Sequence, residues 1–429
     1  MADQIYTIIT FAPVQGFIEK SRKLRDLYGS SYILSFLSRI ICDRAIIEQA
    51  TVISPALPNV TQGMPNQIVL EGNLTQEQIE TIRETFEQGW QLLADTCREW
   101  IERNVTQETY HWERDWRLWK QYTWEFFWAQ GKPGESITEV RQRINQAKVS
   151  RDWTGINWQG ESSTLSGSDA IAHPGLGEQK DPRTYNYQEE RTKVRRFYEK
   201  LSKLLGESFI NPREELSIPQ LIKRLITHRA IVNNIVKQLR ERKLINTSKE
   251  EKELTEIAEE LKPESFNDVK RQDESKSTQL NWTGWFLGDG DSATKYFQTF
   301  SSEEEPEKLK EFSQEMRKWG KQLRDYQDDY LQNKGRMIYA GGDDFLGVLY
   351  DDAKSEKSIE RQNNKAKISP YNCLKWFYNF KSQVWQEKQK HPKKITSSVG
   401  FVWAGNQIPQ RDVLQHCREA EQSAKQTGR

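Results

Sequence analysis

Arg336-Met337-Ile338-Tyr339-Ala340-Gly341-Gly342-Asp343-Asp344-Phe345-Leu346-Gly347-Val348-Leu349-Tyr350 is the stretch that decides the fold. Two β-rich runs, Arg336 to Ala340 and Phe345 to Tyr350, are separated only by Gly341-Gly342-Asp343-Asp344, which predicts two strands in a tight hairpin. Upstream, Trp282-Thr283-Gly284-Trp285-Phe286-Leu287 predicts a short strand ending at Gly288-Asp289-Gly290-Asp291, and Glu303 to Gln332 predicts a long helix. Downstream, Pro370 to Lys390 predicts a second helix with its apolar face on Leu374, Phe377 and Phe380. Ser397 to Ala404 predicts another strand, and Pro409 to Gln426 a last helix with Pro near its first position. The order βαββαβ plus a helix is that of a ferredoxin-like, palm-type α+β domain.

In such a fold the first strand lies beside the central hairpin, so Asp289 is expected to face Asp343 and Asp344. Clustered carboxylates in a partly dry site are costly unless a cation neutralises them, and oxygen ligands without His or Cys suit Mg²⁺ or Mn²⁺. Two such ions would activate an attacking hydroxyl and stabilise the leaving pyrophosphate of a nucleoside triphosphate. Gly341 and Gly342 fit because a side chain there would take space a phosphate or ribose needs. A Gly-Gly-Asp-Asp string alone is weak, since any hairpin turn prefers Gly and Asp. Its β-rich flanks, the preceding Asp-Gly-Asp and the element order together make it specific. Lys425 and Arg429, four residues apart near the end of the last helix, share a face. They either clamp a triphosphate or meet solvent as ordinary helix C-terminal cations, and spacing alone leaves both open.

Elsewhere, Ile5 to Phe11 predicts a strand that stops at Pro13, followed by an amphipathic helical stretch from Val14 to about Gln49. Seven tryptophans recur between Trp90 and Trp128, with Trp112, Trp116 and Trp119 at i, i+4, i+7; the spacing favours a packed helix pair over a base-stacking platform. Gly155 to Asp181 turns to Gly, Ser, Asn and Pro, Tyr187 to Lys262 predicts charged helices, and Lys262 to Gln279 a mobile link. The expected division is therefore 1–154, a palm-like domain with a helical insertion; 155–279, a connector; and 280–429, a second palm.

The 429 residues carry a net charge of +1, which excludes a wholly basic nucleic-acid coat but not a local basic face. No apolar run is long enough to span a bilayer, and the start Met1-Ala2-Asp3-Gln4-Ile5-Tyr6 lacks a signal peptide's basic flank and cleavage site. Cys42, Cys97, Cys373 and Cys417 lie far apart without a C-x-x-C, which argues against disulfides or a four-thiolate zinc site and predicts a reduced, cytoplasmic protein with no membrane partner.

These segments resemble the large polymerase- and cyclase-like subunit of type III CRISPR effector complexes, closest to the B subtype. Phe11-Ala12-Pro13-Val14-Gln15-Gly16-Phe17-Ile18, followed by Ser21 to Ser35, is similar to that family's opening palm motif; Asp289-Gly290-Asp291 and Gly341-Gly342-Asp343-Asp344 are similar to its second palm. Ala420 to Arg429 is similar to the last helix of the related GGDEF cyclases, in which the Lys and Arg contact phosphates. The resemblance implies two ATP molecules held between two palms and joined by 3′–5′ bonds into cyclic oligoadenylates when target RNA pairs with guide RNA, in antiviral defence. It implies that Asp289, Asp343 and Asp344 hold the metals, that Gly290, Ser292, Gly341 and Gly342 lie by nucleotide, and that Lys425 and Arg429 bind triphosphate. Ser30 and Ser31 are implied near the second ATP. The implied partners are the other type III subunits, guide RNA and target RNA.

Three departures shape the expectation. The chain starts at the first palm, and its five histidines include no His-Asp pair, so no HD nuclease activity is expected from it. Ser162-Ser163-Thr164-Leu165-Ser166-Gly167 stands where relatives often carry a cysteine zinc knuckle, and serines ligate zinc poorly. The sequence stops at Arg429 where relatives continue, so a fragment or a chain completed by another is expected. Two rivals remain: an idle RNA-binding scaffold, disfavoured by three gathered carboxylates, and a stand-alone GGDEF-type cyclase using GTP. The latter is disfavoured by the first-palm segment and by Asp344 where that family has Glu.

Overall fold

A computed structural model describes residues 4–244, 282–350, 370–380 and 396–427, together with Thr255, apart from residues 22, 61–62, 152–154, 159, 165, 179–180, 182, 184–185, 208, 243, 292, 332–334 and 406–407. The first half runs β1 (Tyr6–Ala12), α1 (Gln15–Glu19), α2 (Leu24–Ile47), β2 (Thr51–Ser54), β3 (Gln67–Glu71), α3 (Gln76–Asn104), α4 (Glu113–Tyr122), β4 (Glu125–Gln130) and α5 (Ile137–Val149). Helices α6 (Tyr187–Leu205), α7 (Ile218–Leu225) and α8 (Arg229–Glu241) follow. The second half runs β5 (Thr283–Asp291), α9 (Ala293–Phe297), α10 (Glu305–Leu331), β6 (Gly335–Ala340), β7 (Phe345–Leu349), α11 (Pro370–Phe380), β8 (Thr396–Ala404) and α12 (Gln410–Thr427). The fold is α+β, as expected.

Each half builds a four-stranded antiparallel sheet, β2-β3-β1-β4 and β6-β7-β5-β8, so the same ferredoxin-like order occurs twice. Alternation along β1 sends Ile9 and Phe11 to one face, against α2 and α3, and Tyr6 and Ile8 to the other. Along β5, Phe286 joins Trp319 of α10 and Trp376 of α11, while Trp285 faces Val413, Leu414 and Cys417 of α12.

The second faces are closed by an exchange. The first sheet's open side is covered by Ile137, Val140 and Ile144 of α5 together with Phe297 and Leu309 of the second half. The second sheet's open side is covered by α12 together with Leu24 and Leu27 of α2 from the first half. Each half thus lends the start of the helical segment that follows its first strand, the first turn of α2 and the region of α9 and early α10, to the other half's sheet. Polar contacts follow the same seam. The Tyr28 hydroxyl donates to the Met337 carbonyl at 3.0 Å, Ala56 N donates to Ser313 Oγ at 2.8 Å, and Thr138 Oγ1 donates to Glu305 Oε1 at 2.7 Å.

Three expectations need correction. The stretch from Val14 to Gln49 breaks at Lys20–Lys23 into α1 and α2, where Asp26 caps α2 by accepting from Lys23 N at 2.9 Å. Strand β5 does not end at Gly288. It runs to Asp291 because β8 pairs along its whole length, up to Asp291 opposite Thr396, whereas pairing with β7 stops at Gly288 opposite Phe345. On α11 the buried line is Cys373 and Trp376 with Phe377 partly covered, and Leu374 is 57% exposed. The Phe380 side chain, residues 381–390 and the link Lys262–Gln279 lie outside the described residues. The tryptophans pack as read: Trp112 and Trp116 are fully buried, and Trp90 meets Trp124 edge-on at 5.7 Å between ring centroids.

The connector is tied to α2 by a buried ion network. Arg224 of α7 donates from Nε to Asp26 Oδ1 at 2.5 Å, from Nη2 to Asp26 Oδ2 at 2.9 Å and from Nη1 to Glu214 Oε2 at 2.8 Å; the Arg224 and Asp26 side chains are wholly buried. Its neighbour Lys223 donates to the carbonyls of Phe17 and Lys20, the free carbonyls at the end of α1. Asp26→Ala leaves a buried guanidinium without its main partner. It is expected to cost about 3–5 kcal/mol, read as a lowered melting temperature, and an unchanged melting temperature refutes this account of the network.

Candidate active site

The open turn between β6 and β7 puts Asp343 and Asp344 beside the far end of β5. Asp289, Asp343 and Asp344 each offer a carboxylate oxygen, all within 4.8 Å of one another. Asp289 reaches them because β5 continues past its pairing with β7, held there by β8 alone. Asp291, two residues on, is spoken for: it accepts from Thr396 Oγ1 and Ser398 Oγ, both at 2.8 Å, and stays out of the cluster.

The glycines have particular jobs. A Cβ on Gly290 would stand 2.7 Å from Asp343 Cβ and 3.1 Å from its Oδ2, so only glycine lets the hairpin approach β5. Gly341 differs from the expectation. A Cβ there would sit 3.0 Å from the Gly63 carbonyl carbon and the Met64 nitrogen, so its bareness serves contact with the β2–β3 loop of the first half. Arg317 bridges the two, donating from Nη1 to the carbonyls of Gly63 and Gly341 and from Nη2 to that of Asn59 at 3.0 Å. Gly342 alone faces open space.

Lys425 lies over the acids. Its ammonium pairs with Asp289 Oδ2 and, at 2.7 Å, with Glu421 Oε1 one turn back on α12. Burial works against its charge, but the hydrogen bonds it donates to Asp289 and Glu421 win and hold its pKa above the ordinary value. One cation does not neutralise three acids. Burial, followed by the charge of Asp289, pushes Asp343 up to about 6. Loss of hydration, the hydrogen bond shared with Asp289 and the charge of Asp343 raise Asp344 well above the usual carboxylate range. Since Asp344 keeps an exposed surface, like-charge crowding is its firmer cause. Hard oxygen donors crowded against their own repulsion fit a divalent cation such as Mg²⁺ or Mn²⁺.

Other expected site residues fall elsewhere. Ser30 is fully buried in α2, and its hydroxyl donates to the Asp26 carbonyl at 2.7 Å, so it is turned into the helix rather than toward a ligand. Ser31, next to it, is half-buried. Ser292 and Arg429 lie outside the described residues. In the connector, the Ser163 hydroxyl bonds to the Glu215 carbonyl and to Gln220 Oε1, both at 2.8 Å, and Lys20 pairs with Asp169 at 2.9 Å. Among the described residues no cysteine, histidine or acid cluster suited to a metal gathers there. Sequence reading missed Glu421, Tyr339 and Arg141. Glu421 was legible at i−4 from Lys425. Tyr339 is held protonated by burial and then by Asp344. Arg141, whose charge acts on Asp343, comes from the other half of the chain.

Residues 283–429 match the family described as Cas10/Cmr2, second palm domain, and residues 6–95 match CRISPR-associated protein Cmr2, N-terminal. No curated protein matches the chain. Among solved structures, the type III-B Cmr-beta apo state is similar over 99% of this chain and 67% of the other, at 13% identity and a TM-score of 0.52. Cmr-beta bound to cognate target RNA is similar over 99% and 68%, at 12% identity and 0.52. The apo Csm1–Csm4 cassette aligns over 100% and 53%, at 12% identity and 0.45, so the chain spans about half the length of that relative. At these identities the likeness is one of fold. Among the described residues no helix is long and apolar enough to cross a membrane.

Two measurements check the site. Gly290→Ala displaces Asp343 and is expected to weaken Mn²⁺ binding by about 10–100-fold; affinity equal to wild type refutes the packing argument. The raised carboxyls also set a pH dependence. Between about 4 and 6 the folded protein retains protons that the unfolded chain has lost, so without metal the acids increasingly oppose folding as pH rises through that window. Divalent cation is therefore expected to raise the melting temperature more at pH 7.5 than at pH 5, where protons compete for the same oxygens. An equal increment at both pH values contradicts the crowded-acid reading.

Proposed function

The chain belongs to the Cas10/Cmr2 family of large type III CRISPR effector subunits, and from that premise we propose that it joins ATP into cyclic oligoadenylates at the cleft of Asp289, Asp343 and Asp344. Its working state is the effector complex, with guide RNA and paired target RNA held by the assembly. The observation that carries this reading is the convergence of three carboxylate oxygens within 4.8 Å, from a strand and a hairpin, with a lysine on the final helix over them.

Asp289, Asp343 and Asp344 would hold Mg²⁺ or Mn²⁺, which when bound lowers the pKa of an attacking ribose hydroxyl and offsets charge on the departing pyrophosphate. The chain's own residues do the rest. Lys425, already within reach of Asp289, supplies a mobile cation for phosphate oxygens, and Glu421 returns it to place when they leave. Gly342 leaves the turn open on the nucleotide side. The Gly341–Gly63 contact, clamped by Arg317, sets how closely the first half stands to the acids. That contact would let movement of the first half adjust the site, as activation by distant RNA requires.

The assembled complex with guide RNA, matching target RNA, ATP and Mg²⁺ is expected to yield cyclic oligoadenylates by mass spectrometry. Asp343→Ala with Asp344→Ala is expected to reduce yield by at least about 100-fold, the equivalent of several kcal/mol of charge stabilisation. The chain without guide and target should be feeble. Product from GTP alone would favour a GGDEF-type cyclase, no product from wild type with either nucleotide would favour the scaffold, and strong guide-independent synthesis would contradict control by RNA.

A further inference from the structure

Arg141 sits on α5, the helix that closes the first sheet, yet its surroundings belong to the second. Its guanidinium lies 5.7 Å from the centroid of the Phe297 ring, and its charge acts on Glu305 and on Asp343. Nε donates to Gln67 Oε1 at 3.2 Å, which fixes the planar head and leaves both Nη groups without a protein hydrogen bond or ion pair among the described residues. The neighbouring Arg143 is satisfied by Glu135 and by the Gln130 carbonyl at 2.7 Å.

Arg141 is half-buried, and burial lowers its pKa while the charges of Glu305 and Asp343 offset only part of that effect. Among the described residues, Lys425 pairs with Asp289 and Glu421 until phosphate arrives, Arg317 is held by three carbonyls and Arg418 by Glu19. Arg141 keeps a two-pronged donor to spare within electrostatic reach of Asp343, and its partner Gln67 opens the strand that follows the Gly63–Met64 loop packed on Gly341. The anion that fits both the fork and an acidic, metal-suited site is the polyphosphate of a metal–nucleotide complex.

We propose that Arg141 reaches across the seam and binds a phosphate oxygen of the nucleoside triphosphate seated at Asp289, Asp343 and Asp344. The nucleotide would then be gripped by both halves, and its occupancy would depend on their spacing. This rests on the nucleotide reading of the acidic site.

Equilibrium binding of Mg-ATP, and separately of Mn²⁺ alone, to the whole 429-residue chain tests it. Arg141→Ala is expected to weaken Mg-ATP by about 10–100-fold, the loss of one or two charge-assisted hydrogen bonds. It should leave Mn²⁺ affinity unchanged or tighter, because a repelling cation has gone. Arg141→Lys should restore only part of the Mg-ATP affinity, since an ammonium lacks the fork. Wild-type Mg-ATP affinity in Arg141→Ala overturns the proposal, as does a joint loss of Mn²⁺ binding and melting temperature, which would make the residue structural. Failure of the wild-type protein itself to bind Mg-ATP overturns the nucleotide reading and this inference with it.

Discussion

A four-stranded antiparallel sheet with two helices on one side still has an apolar second side, and the chain must cover it twice. Neither half can do so with its own closing helix. Val140 and Ile144 cover part of the first sheet and Phe297 and Leu309 the rest; Val413 and Cys417 cover part of the second and Leu24 and Leu27 the rest. Burial of this kind, about 25 cal/mol per Å² of apolar surface, locks the relative placement of the halves far more firmly than the few hydrogen bonds along the seam. The cleft is a by-product of that exchange: α5 brings Arg141, and the β2–β3 loop brings Gly63, to the edge where Asp343 stands.

The site carries a debt of charge that the fold only partly settles. Among the described residues three carboxylates share the ammonium of Lys425 and the more distant charge of Arg141, and the carboxyls of Asp343 and Asp344 respond by holding protons more tightly than ordinary aspartates. Repulsion of this sort has no structural benefit of its own. Asp291 shows the alternative, an acid of the same strand quietly satisfied by Thr396 and Ser398. The contrast between the two, separated by one glycine, leaves Asp289 as the member of the pair that faces the acidic cluster.

Local chemistry was readable from the residues wherever near neighbours determine it. The hairpin around Gly341–Asp344, the long helix after Glu303 and the packing of Trp112 and Trp116 all follow from turn preference and periodicity. What escaped was set by partners remote in sequence. The extension of β5 to Asp291 is imposed by β8, over a hundred residues on. On α11, Cys373 and Trp376 form the buried line in place of Leu374 because Phe286 offers Trp376 a ring at 5.1 Å. Gly341 is bare for the sake of Gly63, and Ser30 is lost to the Asp26 carbonyl, neither of which a motif can reveal. The acids were found because strand order alone brings them together; Arg141 was not, because only the packing of one half against the other does.

The two hairpins also differ in length, four residues between β6 and β7 against the longer 55–66 connection between β2 and β3. A symmetric dimer of identical subunits would have to use one loop for both duties, exposing acids and bracing the neighbour's. Two sheets written into one polypeptide are released from that compromise, so the second hairpin can be cut down to bare its carboxylates while the first is drawn out to buttress them. The price of such specialisation is that neither half remains a working copy of the other.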